Sequence, residues 1–107
     1  MNNNGLPHNI EAEKALLGSV FYSYGALQKV CEEVKKEFFY LDSHSKIFEV
    51  IHELYSNNKP VDATTVTAEA INKGYLSQIG GVEYLTSVID SVATGANVSF
   101  YIDYIQS

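Results

Sequence analysis

The sequence predicts an all-α protein, a compact bundle of about six short helices. Apolar residues recur at helical spacing along most of its length, and Gly, Pro, Asn and Ser cluster between those stretches. No segment shows the sustained apolar–polar alternation of a half-buried strand. The strongest stretch is His44 to Tyr55, where Ile47, Val50, Ile51 and Leu54 form a stripe that Phe48 and Tyr55 widen. A helix apolar around so much of its circumference needs neighbours on several sides, so it is expected at the centre of the bundle. Asp42 or Ser43 is placed to cap its start, and Ser56-Asn57-Asn58-Lys59-Pro60 ends it, because proline cannot continue a helix.

The other elements follow in chain order. Residues 1–8 read as a loose polar tail, and the head domain as residues 9–107. A first helix is expected over Asn9–Tyr22, capped by Asn9, with Glu11 and Glu13 at the positive end of its dipole. Ile10, Leu17, Val20 and Phe21 share its apolar face with Leu16 beside them, and Gly18 is either a close-approach point or a weak one. A second helix spans Ala26–Lys36 with the stripe Leu27, Val30, Cys31 and Val34. Phe38-Phe39-Tyr40-Leu41 reads as an anchoring loop whose rings plug the bundle. Asp62 caps a fourth helix carrying Ala63, Val66, Ala70 and Ile71, which Lys73-Gly74 closes. Residues 75–79 form a connector before the Gly80-Gly81 turn. A fifth helix, Val82–Val92, presents Tyr84, Leu85, Val88, Ile89 and Val92, and Ala93-Thr94-Gly95-Ala96 breaks it. Asn97 caps a sixth, with Val98, Tyr101, Ile102 and Ile105 in one stripe. The end at Ser107 carries no helix-stop signal, which suggests a piece of a longer protein.

With 107 residues and 46% hydrophobic content, the chain can bury one core. A single cysteine excludes an internal disulfide and a cysteine-based zinc site, in keeping with a reducing cytosol. No charged leader followed by an apolar run opens the chain, and no stretch is long enough to span a bilayer. A net charge of −6 with scattered lysines makes strong DNA binding by this domain an unfavourable expectation and points to protein partners.

No catalytic, cofactor-binding or metal-binding residues are expected in this chain. Gly80-Gly81 lacks the lysine of a phosphate loop. His44 and His52 stand about 12 Å apart along one helix, too far to share an ion. Each histidine reads as a cap or surface group, Glu11, Glu13, Glu32 and Glu33 as solvated helix faces, and Cys31 as an inert core thiol. Tyr22, Tyr24, Tyr75 and Tyr104 are expected to be at least partly exposed, and exposed tyrosines often mark contact surfaces.

Several phrases, in this order, resemble the N-terminal domain of bacterial replicative DNA helicases of the DnaB family. They are Leu6-Pro7-His8-Asn9-Ile10-Glu11-Ala12-Glu13 with Leu16-Leu17-Gly18, then Phe39-Tyr40 with His44 and Ile47-Phe48. Pro60-Val61-Asp62 with Thr65-Val66, Gly74-Tyr75-Leu76, Ile79-Gly80-Gly81 with Tyr84-Leu85, and Asn97-Val98 with Tyr101 complete the set. Phe38, Ala93 and Gly95 depart from the family's usual residues. The resemblance implies an all-helical, non-catalytic head. In the family such heads form a trimer-of-dimers collar on a hexameric ring and help recruit primase. A helicase loader is a further partner, with no membrane involved and a cytoplasmic, bacterial setting. ATP and magnesium are implied only for a RecA-like motor beyond Ser107, and the fragment alone is expected to be monomeric. Exposed positions of the first helix and the polar sides of the fifth and sixth are the candidate contact surfaces. Two other readings are the helicase-binding domain of a primase and a helix-turn-helix DNA-binding module, which the acidic balance opposes.

Overall fold

Every regular element among the described residues is helical. In a computed structural model these are residues 7–92 and 97–106, with the backbone alone for 7–9. Of the expected tail 1–8, residues 1–6 lie outside them, as do the break at 93–96 and Ser107, while Pro7 and His8 belong to the first helix rather than to a tail. The helices are α1 Pro7–Ser19, α2 Tyr24–Glu33, α3 Asp42–Ser56, α4 Ala63–Asn72, α5 Leu76–Ile79, α6 Gly81–Ile89 and α7 Val98–Gln106, with a 3-10 turn at Lys36–Phe38. The all-helical reading therefore holds, with seven described helices where six were expected. The extra one is α5, four residues formed where a connector was expected.

The termini show which local forces decided each boundary. α1 starts at Pro7, not Asn9, since proline suits a first turn where its missing N–H has no partner to lose. Asn9 is thus inside the helix and Glu11 beyond its first turn. The same helix stops at Ser19, three residues early. The Ser19 hydroxyl donates to the Leu16 carbonyl at 2.6 Å, and the next amides, Val20, Phe21 and Tyr22, turn to carbonyls three residues back. Ser23 caps α2 by accepting from the Ala26 N–H at 2.9 Å, so the helix begins at Tyr24. It ends at Glu33 because Val34 and Lys35 are extended. Asp62 caps α4, as the sequence predicts, and Thr65 completes a reciprocal capping box with it, the two bonds being 2.8 and 2.9 Å. Gly74, at φ +74°, follows α4, where the Tyr75 N–H reaches back to the Ala70 carbonyl. α6 runs Gly81–Ile89 and not to Val92.

α3 is central, as expected: it packs against α1, α2, the 3-10 turn, α4 and α5. Ile47, Phe48, Val50, Ile51 and Leu54 are all buried. Around them lie Leu16, Leu17, Val30, Val66, Leu85 and Val88. Phe39 plugs the bundle against Phe48 at a ring separation of 5.5 Å, but Tyr40 is 65% exposed, so only part of the anchoring loop faces inward. Ala63 and Ile71 also face solvent, because α4 buries a narrow strip centred on Val66 and Ala70.

Gly18 resolves as a close-approach point. A Cβ there would run into the Val88 carbonyl oxygen of α6 and lie 2.7 Å from the Ser91 hydroxyl. The absence of a side chain lets α1 and α6 meet backbone to backbone, at the usual expense of a glycine within a helix.

Candidate functional site

The most concentrated polar chemistry lies inside the protein. Glu13 of α1 is 2% exposed and His44 of α3 fully buried. The Glu13 carboxylate accepts from the Tyr40 N–H at 2.5 Å and from His44 Nδ1 at 2.7 Å, with a longer 3.4 Å contact to the Leu41 N–H. Because the carboxylate can only accept, Nδ1 carries a proton. His44 Nε2 is 2.6 Å from the hydroxyl of Tyr84 on α6, and the two rings stack at 5.8 Å. Lys14 lies over the outer face of Tyr84, 5.4 Å from its centre. Burial, and then the negative charges of Glu11 and Glu13, push the Tyr84 phenol above its usual range. A protonated phenol donating to Nε2 completes a chain in which every buried polar atom of the three residues has a partner.

Carboxylate, imidazole and hydroxyl in series is also the order of a nucleophilic triad. Here the hydroxyl is held protonated rather than activated. None of the described surface grooves is lined by Glu13, His44 or Tyr84. The arrangement is a tie between three helices. It also supplies what the start of α3 lacks: Leu41 stands at the N-cap and neither Asp42 nor Ser43 caps the helix, so Glu13 fastens the lead-in from another helix. The sequence-based placement of His44 as a cap or surface group and of Glu13 as solvated face is thus corrected for both residues. A signal for it was present. Glu13 precedes Leu16, Leu17 and Val20, and His44 precedes Ile47, Phe48 and Ile51, by three, four and seven residues. Each polar side chain therefore lies on its helix's apolar face.

The remaining candidates behave more simply. His52 is exposed, its Nδ1 3.4 Å from the Ser56 hydroxyl. Cys31 is buried, and burial together with Glu32 pushes its thiol up to about 12. Among the described residues no group of three His, Cys, Asp or Glu side chains could hold a metal ion. The Gly80-Gly81 turn, whose glycines have φ +109° and +81°, begins α6 without the lysine of a phosphate loop. Tyr22, Tyr24 and Tyr104 are exposed as expected. Tyr75 is half-buried: its hydroxyl donates to Glu49 and its ring lies near the ammonium groups of Lys46 and Lys73. On the surface expected to meet partners, α7 packs on α1 and leaves Phe100 and Tyr104 outward. A groove of about 380 Å³ between these helices is lined by Glu11, Ala15, Tyr101 and Tyr104.

The family model described as DnaB-like helicase N terminal domain matches residues 5–107. This chain belongs to that family. Similar proteins include the replicative DNA helicase DnaC of Bacillus subtilis, 42% identical over 95 residues, and the replicative DNA helicase DnaB of Geobacillus stearothermophilus, 44% identical over 95 residues. Each alignment covers 89% of this chain but 21% of the relative, so the chain spans about a fifth of these helicases. Among solved structures, the N-terminal domain of DnaB helicase from Mycobacterium tuberculosis superposes with a TM-score of 0.84 at 36% identity, covering 89% of this chain and 66% of that one. The DnaB-type head is thus present in both sequence and fold. No helix among the described residues is long and apolar enough to cross a membrane.

Proposed function

We propose that this chain serves as the non-catalytic assembly and docking domain of a hexameric replicative helicase in the bacterial cytoplasm. Its match to the head-domain family over residues 5–107, at about a fifth of the length of whole helicases, carries this reading. In the ring, heads contact one another as a trimer-of-dimers collar, and their outer faces recruit primase and, at loading, the helicase loader. The work is done by surface complementarity on a rigid scaffold, which suits a bundle whose polar interior is fully tied. The exposed aromatic residues of α7 beside α1 are the kind of surface such contacts use. ATP and magnesium belong to the motor of the full-length protein.

Removing residues 1–107 from the full-length helicase tests both roles. Native mass spectrometry should show a weakened hexamer, and immobilised primase should no longer retain the truncated protein. Unchanged assembly together with unchanged primase retention would overturn the proposal. The chain alone should release no phosphate from ATP, with or without single-stranded DNA. Sustained turnover by this purified segment would place a motor where we place a scaffold.

A further inference from the structure

A second surface lies where the turn between α1 and α2 meets the loop between α3 and α4. A groove of about 480 Å³ opens there, walled by Tyr22, Tyr24, Tyr55 and Pro60. Its floor includes Val20 and Leu27, which are buried in the core. Tyr22 is 46% and Tyr24 68% exposed, and Tyr24 leans on Tyr55 at a ring separation of 6.3 Å. The walls are set by backbone bonds. Ser23 caps α2, while the Asn58 and Lys59 N–H groups bond the Tyr55 and Leu54 carbonyls, with Asn58 in the left-handed conformation at φ 58°. Little ordering is therefore left for a binding event to impose.

Charge decides what fits. The chain's seven basic residues are all lysines. Lys29, Lys36, Lys46 and Lys73 pair with carboxylates and Lys14 lies over Tyr84. Lys35 and Lys59 have no ion pair within 4 Å among the described residues; Lys59, whose charge is felt at longer range by Glu53, is the one charged residue lining the tyrosine-walled groove. Glu32, just outside, is engaged by the Tyr55 hydroxyl. A single cation in a chain of net charge −6 displaces too few counterions to hold a nucleic acid strand. Beside an apolar floor, it suits one carboxylate next to one large apolar side chain.

We infer that this groove docks a segment of another protein, one carrying an aromatic or large aliphatic anchor flanked by acidic residues, with the anchor between the tyrosines and a carboxylate on Lys59. The inference rests on the docking role proposed above only in that the partner is a protein. Its test uses the chain alone, so its failure leaves the full-length assembly and primase experiments standing.

The probe is a capped pentapeptide, Glu-Asp-Phe-Glu-Asp, titrated into the isotope-labelled chain and followed by two-dimensional NMR. Saturable shifts should centre on Tyr22, Tyr24, Tyr55 and Lys59–Val61. They should be absent with Phe replaced by Ser in the peptide, and affinity should fall at ~0.5 M salt. Lys59→Glu should weaken binding at least about fivefold while Lys59→Arg retains it, as expected when an exposed cation pairs with the ligand. Lys59 is exposed and outside the core, so both variants keep the fold. Four outcomes would each overturn the inference. These are no saturable shift by about 10 mM peptide, equal binding of Lys-Lys-Phe-Lys-Lys, binding of a thymidine decamer at these residues in preference to the peptide, and shifts of these residues with protein concentration alone.

Discussion

At the scale of single residues, the molecule stakes most on Glu13. Its carboxylate has left water, so each donor it serves must lose its partner when it is removed. Glu13→Ala should lower unfolding free energy by about 2–4 kcal/mol, because the buried His44 donor left unsatisfied costs about 1–3 kcal/mol and the part-buried Tyr40 and Leu41 N–H groups add less. Tyr84→Phe removes one hydroxyl and leaves one acceptor open, a loss of about 1–3 kcal/mol. Denaturant titration of the two variants should rank them in that order, and a negligible loss for Glu13→Ala would show that the tie carries no weight. Cys31 should resist thiol reagents until the protein unfolds globally. Its thiol and the Tyr55 phenol are both held up to about 12, Tyr55 by burial and by Glu32. Since both folded values lie above the unfolded ones, their stabilising effect is complete below about pH 9 and fades as pH rises toward 12. Thermal melts across that alkaline window should show a falling melting temperature, and a flat profile would contradict the linkage. The tie was only half legible beforehand. The spacing of Glu13 and His44 from the apolar residues that follow them carries the signal, but as polar groups both are expected at the surface, and a polar side chain alone does not say which distant residue will satisfy it.

At the scale of elements, the caps and stripes were the legible part. Asp62 is legible as the cap of α4 from its place before the apolar stripe, whereas the return bond from Thr65 is seen only in the structure. α3 was recognised from its apolar faces, but its fastening by Glu13 comes from 31 residues away in the chain at His44 and could not be read locally. Asp62→Ala should therefore cost about 1 kcal/mol, a typical capping loss. Gly18 presents opposing effects. Alanine would raise helix propensity by about 1 kcal/mol, but its methyl group would strike the Val88 carbonyl, a backbone atom that cannot swing aside. Overpacking of that kind costs about 1–3 kcal/mol, so Gly18→Ala should destabilise the protein on balance. A stabilised variant in a thermal melt would mean that α1 and α6 separate more easily than their spacing indicates. The early end of α1 at Ser19 was hidden for a similar reason: a serine hydroxyl taking a carbonyl three residues back leaves no mark in an apolar pattern.

At the scale of the whole molecule, one core gathers most elements around α3, with α7 reaching it through α1 and α2, and Phe48 sits within it against Phe39. Phe48→Ala should remove about 3–5 kcal/mol, and an unchanged melting temperature would place the centre elsewhere. A head that presents surfaces to neighbours gains from such rigidity, since little motion must be frozen when contacts form. His44 also joins chain positions 31 residues before it and 40 after it. Closures of this length carry an entropic cost that local helix contacts do not, so the tie is expected to form after the helices have met. The imidazole and carboxylate must stay hydrated until α1, α3 and α6 are docked together, so a partly assembled bundle has no dry place for them. Tyr84→Phe should consequently accelerate unfolding and leave the folding rate nearly untouched. The tie acts as a latch on the finished fold: it sets how long a head stays closed, rather than how quickly it forms.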